Sequence, residues 1–362
     1  MKIVGCDLHT RYQQIAMLDD ETGELVERRL EHATGEAKQF YTELTGAVRV
    51  GIEATGHTRW FERLLAELGH ELWVGDAARI RASAVRKQKT DARDAALLLE
   101  LLLTGRFPRL WRPSAEERDL RQLLWHRQQL VWMRTSIGNQ LHALAMGEGL
   151  CKKKQLFTKK GRAELAALPL DLWASRRRQE LLHMLDQVDV SLKQFDEAVN
   201  EQAAGDTSAV RLMTHPGVGP VTSLAFVLLV GPVDRFQRSK QLVSYLGLNP
   251  REHSSGGKQK LGSISKQGNP LLRSWLVEAG HSAARLDAEL RQDYQRLRLR
   301  RGGSVAKVAI ARNGGADVLD AAPPGELHAA GSHARQLEGH PGAAVNHRWA
   351  DGAPCLPNGS GV

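Results

Sequence analysis

The run Lys2-Ile3-Val4-Gly5-Cys6-Asp7 constrains the chain more than any other stretch. Apolar residues through Cys6 call for a buried central strand, and the acid that follows, with His9 and Thr10, marks where that strand leaves the core. A carboxylate at a strand end stands where α/β proteins commonly place chemistry, and equally where a turn begins. Asp7 therefore gains meaning only if other acids arrive at the same sheet edge.

The next residues supply the sheet. Residues 14–18 and 25–30 read as short strands joined through the turn Asp19-Asp20-Glu21-Thr22-Gly23, which completes a three-stranded meander. Thr34 is placed to cap a helix through Leu44, residues 47–53 form a strand, 60–68 a helix and 71–74 another strand. Three antiparallel strands followed by β-α alternation is the order expected of an α/β RNase H-like fold.

Glu53 repeats the arrangement of Asp7: a strand, an acid, then a polar turn containing Gly56. Thr90 is a good N-cap for a helix reaching Leu103, and Asp91 and Asp94 in its first turn suit the helix dipole. Their i,i+3 spacing also projects both carboxylates from one helix face. With Asp7 and Glu53 they make four acids from three elements. Such a quartet repels itself unless divalent cations sit among it, and all-oxygen donors select Mg²⁺ or Mn²⁺. Two such ions activate a nucleophile and stabilise the leaving oxygen of a phosphodiester. Arg86, Lys87 and Lys89, just ahead of that helix, are suited to the phosphate backbone.

The charge balance agrees. The 362-residue chain carries a net +9 with a pI near 9.6, which favours a polyanionic partner. Residues 1–312 carry +12 and residues 313–362 carry −3. Cys6, Cys151 and Cys355 lack metal-ligand spacing and fit a reducing cytoplasm. Met1-Lys2 leads straight into a strand without a secretory leader, and the apolar runs are too short for a membrane span. A chain of this length has room for several domains: 1–112, the sheet domain; 113–205, a helical arm; 206–312, a second compact domain; and 313–362, a tail.

In the arm, Leu120, Leu123, Leu124, Gln128, Val131 and Ile137 recur at helical spacing, as do Leu181, Leu185, Val188, Leu192, Phe195 and Val199. Between them lies a basic loop with Lys152, Lys153, Lys154, Lys159 and Lys160. An antiparallel coiled-coil arm with a basic tip follows, serving dimerisation, nucleic-acid clamping or both. After it, His215-Pro216-Gly217-Val218-Gly219-Pro220 precedes an apolar helix. Gly217 and Gly219 are placed as in a helix-hairpin-helix turn, whose N–H groups hold phosphate, or as in a plain interhelical turn. The stretch 253–269 is dense in Ser, Gly and Lys, with Lys258 and Lys266 near Ser254 and Ser255. It reads as a phosphate-meeting loop or a flexible surface loop; a serine there needs a base, a metal or clustered cations to act as a nucleophile. A helix over 270–286 and a basic stretch over 296–301 follow. At Asn313 periodicity stops, and the Gly-, Ala- and Pro-rich remainder reads as a disordered tail from an altered reading frame.

Asp7, Glu53 and Lys89-Thr90-Asp91-Ala92-Arg93-Asp94-Ala95 resemble the DEDD signature of IS110-type transposases, related to pilin-inverting recombinases. Residues 215–220, 244–250 and 254–269 look like the C-terminal transposase domain of that family. The resemblance implies a RuvC-like first domain whose acids Asp7, Glu53, Asp91 and Asp94 bind Mg²⁺. It also implies a catalytic serine that forms a phosphoserine link to DNA, placed on Ser255 with Ser254 as alternate. A structured bridge RNA would choose donor and target DNA, and dimers would pair into tetramers. Three rival readings stand beside it: a RuvC-like junction nuclease without serine chemistry, a sugar-kinase or actin-like ATPase, and a non-enzymatic nucleic-acid scaffold.

Overall fold

The computed structural model describes residues 1–84, 90–152, 154–255 and 260–320 of the chain. It divides into two compact units, Met1–Arg112 and the chain from Pro113 onward. Arg86, Lys87, Lys89, Lys153 and Lys258 lie outside the described residues, as does the tail beyond Asp320.

The first unit is a five-stranded mixed sheet with helices on both faces. Its elements are β1 (Lys2–Leu8), β2 (Tyr12–Asp19), β3 (Leu25–Glu31), α1 (Glu36–Glu43), β4 (Val48–Glu53), α2 (Arg59–Glu67), β5 (Glu71–Gly75), α3 (Ala77–Ser83) and α4 (Asp91–Leu103). The strand order is β3-β2-β1-β4-β5; β1, β2 and β3 run antiparallel, while β1, β4 and β5 run parallel. Period-two alternation divides the side chains between two cores. Val4, Cys6, Ile15, Met17, Val50 and Ile52 pack on one face against Phe40 and Tyr41 of α1 and Phe61 and Leu65 of α2. Ile3 and Ala16 face the other way, with Ile80 of α3 and Ala95, Leu98, Leu99 and Leu102 of α4.

The α4 side is built on glycine. A Cβ at Gly5 would lie 2.3 Å from the Ala95 carbonyl oxygen and 2.4 Å from the Leu99 nitrogen, so α4 rests on β1 at backbone distance. At Gly51 of β4 a Cβ would fall 2.7 Å from the Leu102 side chain. Bare positions in the two central parallel strands thus let α4 lie flat across the sheet. The Thr90 hydroxyl accepts from the Arg93 N–H and fixes where the helix starts.

Thr34 does not cap α1: its hydroxyl donates to the Glu31 carbonyl, and Gly35, in the left-handed region at φ 81°, precedes the helix. The Glu36 carboxylate accepts the Glu31 N–H instead, so a local turn claims the hydroxyl first.

The second unit is mainly helical. Its elements are α5 (Ala115–Gly147), α6 (Lys159–Ala166), α7 (Leu172–Gly205), α8 (Thr207–Leu212), α9 (Pro220–Val230), α10 (Ser239–Tyr245), β6 (Pro250–Glu252), β7 (Leu261–Ile264), α11 (Pro270–Leu286), α12 (Ala288–Arg301) and α13 (Gly303–Asp320). A capping box between Ser114 and Glu117 opens α5. Helices α5 and α7 run antiparallel: Arg127 pairs with Asp196 and Arg134 with Asp189, seven residues on in one helix and seven back in the other. Their outer half encloses a small core of Ile137, Leu141, Leu156, Leu165, Leu181 and Leu185. Helix α9 is apolar all round because it is buried all round, among Leu124, Val199, Leu242, Leu272 and Leu276.

Helix α13 continues past Arg312 to Asp320, eight residues beyond the point where the periodicity stops. Propagation adds one hydrogen bond per residue once the nucleus exists, so a running helix persists into weaker sequence. Ala306, Ile310 and Ala311 are buried, and Gly280 of α11 leaves room for the Ala311 backbone. No helix among the described residues is long and apolar enough to cross a membrane.

The Gly5 contact sets the first test. Gly5→Ala forces backbone against backbone and should cost about 2–3 kcal/mol in urea unfolding. Gly56→Ala, whose Cβ meets nothing within 4 Å, should change stability by less than about 0.5 kcal/mol.

Candidate metal centre and serine loop

Asp7 stands at the last turn of β1 before the strand ends, two residues beyond Gly5 and on the same face, toward α4. Asp91 and Asp94 lie in the first turn of α4. Docking of α4 at Gly5 therefore carries both acids to the strand end. Glu53 arrives by register: Cys6 pairs with Ile52 on parallel strands, so Asp7 and Glu53 follow side by side. Glu53 is two residues past Gly51 and shares its face.

The tightest cluster is Asp7, His9 and Asp91, which each offer a ligand atom within 4.8 Å of the others. His9 Nε2 lies 3.0 Å from Asp7 Oδ2 and 3.6 Å from Asp91 Oδ2. The Tyr12 hydroxyl donates to Asp91 Oδ2 at 2.8 Å, and the Arg29 guanidinium stacks 3.7 Å from the Tyr12 ring centre. Arg29 is in turn held by Glu31 at 3.0 Å. A line of contacts from β3 through β2 thus orients one carboxylate of α4.

Burial pushes the Asp7 carboxyl above its ordinary range. His9 pulls it down, Asp94 and Asp91 push it up as like charges, and the net direction is upward. The bond to Asp91, followed by burial, raises the Tyr12 hydroxyl and keeps it a donor. Cys6, next to Asp7 but on the opposite face, is fully buried and its thiol is pushed far up. Its sulfur donates to Gln13 Oε1 at 3.4 Å, so Cys6 is a core residue and not a ligand.

The donor set fits a divalent cation. Two carboxylates converge on one point, and the inner one is short of positive charge. One imidazole among the oxygens is a better match for Mn²⁺ than for Mg²⁺, which prefers oxygen throughout. The sequence pattern does not single out His9 or Tyr12. The signals were there in an acid followed two residues later by His, and in Tyr12 lying in phase with Gln14 and Ala16 on β2, the latter facing α4.

In the second unit, Ser254 and Ser255 follow β6 and are exposed. The Ser254 hydroxyl donates to Glu252 Oε1 at 2.5 Å and accepts the Lys260 N–H at 3.2 Å, which ties it into the β6–β7 hairpin. The Ser255 hydroxyl has no hydrogen bond among the described residues. Lys266 is exposed and left-handed at φ 57°, in a loop that is firmly built. Arg273 donates to the Gln267 carbonyl at 2.9 Å, and Gly268 and Gly247 pack the loop against the end of α10 at backbone distance. Gly217, at φ 81°, also packs at backbone distance: a Cβ would lie 2.4 Å from the Ala279 carbonyl oxygen of α11. Gly219 is the extended residue before α9. Lys154 is exposed, at φ 90°.

Both units match families of transposases. Residues 4–147 match the transposase family of the DEDD, IS110 type, and residues 209–295 match the transposase IS116/IS110/IS902 family. The chain is 29% identical to a probable family 20 transposase of Pseudomonas aeruginosa, over 85% of this chain and 93% of that protein. It is 28% identical to the transposase for insertion sequence element IS1111A of Coxiella burnetii, over 86% of each. The pilin gene-inverting protein of Moraxella bovis is 28% identical over 64% of this chain and 66% of its own length. These matches define a transposase, of a class similar in sequence to pilin gene-inverting proteins. The chain belongs to the IS110-type family.

Two measurements probe the centre. Tyr12→Phe removes the donor that orients Asp91 and should weaken Mn²⁺ binding about tenfold by calorimetry, with the thermal midpoint of the metal-free protein little changed. Asp7→Asn tests the raised carboxyl. Native Asp7 holds its proton to higher pH than in the unfolded chain, so its contribution to stability is full at low pH and lost as pH rises through the raised value. The metal-free Asp7→Asn protein should therefore melt higher than the parent near pH 7.5, with the gap narrowing toward pH ~4. Added Mn²⁺ should reverse the order, since only the parent retains the ligand.

Proposed function

We propose that the chain cuts and rejoins DNA as the recombinase of an insertion sequence, using a divalent-metal centre and a serine nucleophile. The observation that carries the reading is the convergence of Asp7, His9 and Asp91 at one strand end, beside Asp94 and Glu53, in a chain of the IS110-type family. The strand order β3-β2-β1-β4-β5, with its antiparallel and parallel halves, supports a RuvC-like reading of the first unit.

In this reading Asp7, Glu53, Asp91 and Asp94 hold Mg²⁺ or Mn²⁺, with His9 beside them. A bound divalent cation supplies Lewis-acid stabilisation of charge on the phosphoryl and departing oxygens. Tyr12 keeps Asp91 aimed at the centre, and the sheet edge holds Asp7 and Glu53 in register. Ser255 is the nucleophile: its Oγ–P bond forms, one P–O bond to deoxyribose breaks, and the deoxyribose oxygen leaves with a proton. Strand transfer is the reverse, in which a second deoxyribose hydroxyl attacks phosphorus and serine regains its proton. Two exchanges conserve bond number, so no external energy source is needed. Exposure and a hydroxyl without a described partner support Ser255, whereas Ser254 is engaged on both sides by the hairpin.

Arg86, Lys87, Lys89, Lys153, Lys154, Lys258 and Lys266, with the Gly217–Gly219 turn, are assigned to phosphate contacts. The +12 carried by residues 1–312 supports a large polyanionic ligand, consistent with donor and target DNA plus a structured bridge RNA from the end of the element. Dimers that pair into tetramers, acting in the cytoplasm, complete the proposal.

The test is an adduct trap. The full chain is incubated with its flanking DNA, RNA transcribed from the ends of the element, and Mg²⁺ or Mn²⁺, then denatured in detergent. A protein–DNA adduct should form, vanish in Ser255→Ala, persist in Ser254→Ala and fall to background in Asp7→Asn. Loss of the adduct in Ser254→Ala alone would move the nucleophile one residue. Free 5′-phosphate ends without any adduct would replace this reading by that of a RuvC-like junction nuclease.

A further inference from the structure

The acidic centre and the serine loop leave one conspicuous group unused. Trp173, in the first turn of α7, is 73% exposed, and its neighbour Leu172 is 75% exposed. An indole left in water forfeits most of the burial that normally places Trp in a core. Arg176 and Arg177 follow at i+3 and i+4, so both flank Trp173 on one helix face, and both are exposed.

The surroundings are strongly positive. Residues 152–178 hold nine Lys and Arg against Glu164 and Asp171, a net +7 out of the +9 of the whole chain. Some of these cations are structural. Arg178 is buried and donates to the carbonyls of Leu165 and Ala166, fastening the end of α6 to the start of α7. Lys152 pairs with Glu164 and Arg162 with Asp186. Lys154, Lys159, Lys160 and Arg176 make no ion pair among the described residues and are exposed. The Arg178 clasp brings the end of α6 to the first turns of α7, and Lys159 and Lys160 stand one helix length away, about 12 Å.

We infer that the arm tip is a single-strand site in which an unpaired base stacks on Trp173 while Arg176, Arg177, Lys159 and Lys160 meet the flanking phosphates. Bases offer a flat π-face to an indole whatever their identity, and only unpaired bases can reach it, because duplex stacking occupies both faces. Charge complementarity selects the occupant: an apolar protein partner would meet exposed Arg176 on the same helix face and exposed Lys154, Lys159 and Lys160 on the neighbouring segment, none of them in an ion pair among the described residues. The exposed Arg176 guanidinium at i+3 adds stacking of its own, while Arg177 at i+4 is steadied by donating to Gln140 Oε1 of α5 at 3.1 Å. The inference depends on the proposed recombinase reading only for the source of the strand. Its content, a preference for unpaired over paired nucleotides, concerns binding and not cleavage.

Fluorescence anisotropy of the full chain, in chelator to prevent cleavage, separates the two. Probes are a labelled 20-nucleotide single strand of mixed sequence and the corresponding duplex. Trp173→Ala should weaken single-strand binding about tenfold, Trp173→Phe should retain most of it, and duplex affinity should stay within twofold. The slope of log affinity on log salt should be unchanged in Trp173→Ala but shallower by about 1.4 in the Lys159→Ala, Lys160→Ala double variant. Equal weakening of single strand and duplex, no effect of Trp173→Ala, or a Trp173→Phe as weak as Trp173→Ala would each overturn the inference. Anionic vesicles of phosphatidylserine that compete for Trp173 and displace the single strand would overturn it in favour of a membrane surface. Binding is read in chelator and the adduct in Mg²⁺ or Mn²⁺, so failure of the recombinase reading shows in the adduct trap alone.

Discussion

The contact of α4 on β1 through Gly5 governs the first unit. A helix normally rests on a sheet at the distance its side chains allow. Here the Ala95 carbonyl and the Leu99 nitrogen come within reach of where a Cβ would be. Any residue larger than glycine would lift the helix and swing its first turn away from the strand end. The acids of that turn sit only one and two turns before the contact, so the error in their placement would be of the same order as the lift. The site is thus as precise as the backbone packing beneath it, and it stands on regular elements rather than on a loop.

That dependence explains what could be read from the sequence. The strand ending in Asp7, the strand ending in Glu53 and the capped helix opening on Asp91 are local patterns, visible as alternation, turn residues and an N-cap. Their convergence is not local. It rests on Gly5 and Gly51, and a glycine in an apolar run gives no sign of what will pack against it. His9 was hidden for a related reason: a histidine beyond a strand end reads as a turn residue until a carboxylate from residue 91 arrives 3.6 Å away. Tyr12 needs two sheet registers and a helix before its hydroxyl has a partner. Thr34 failed in the opposite direction, since the propensity for a cap was real but the Glu31 carbonyl was nearer. At Asn313 composition changes abruptly, yet the backbone continues as helix to Asp320, because helix termination follows hydrogen-bond propagation rather than composition.

The second unit divides its charge between internal bonds and open surface. Arg127, Arg134, Arg162 and Arg178 are committed to acids or carbonyls within the arm. Arg121 and Arg273 are likewise spent on backbone carbonyls, and partial burial lowers both. A basic composition alone therefore overstates the surface available to a polyanion. Exposed cations remain in two places, along the last turns of α12 and where α6 meets the start of α7, and at the second the chain also exposes an indole. Arginine supplies the rigid internal bonds because its planar fork reaches two or three carbonyls at once, whereas lysine, a point charge on a flexible stem, is left at the surface.

The electrostatics of the acidic centre follow from the same division. Asp7 is half-buried beside two like charges, and neither His9 nor the sheet edge restores its normal affinity for the proton. Tyr12 helps Asp91 but does nothing for Asp7. An arrangement tuned for stability would pair Asp7 with a lysine or arginine, and this basic chain has fifty of them. The described partner of Asp7 is instead the His9 imidazole, at 3.0 Å. A residual negative potential is thus built in at the strand end of a protein otherwise strongly positive. Only a ligand that is itself a compact cation, present when the polyanion binds, resolves both features together: it satisfies the carboxylates and at the same time draws a phosphate to a spot that would otherwise repel it.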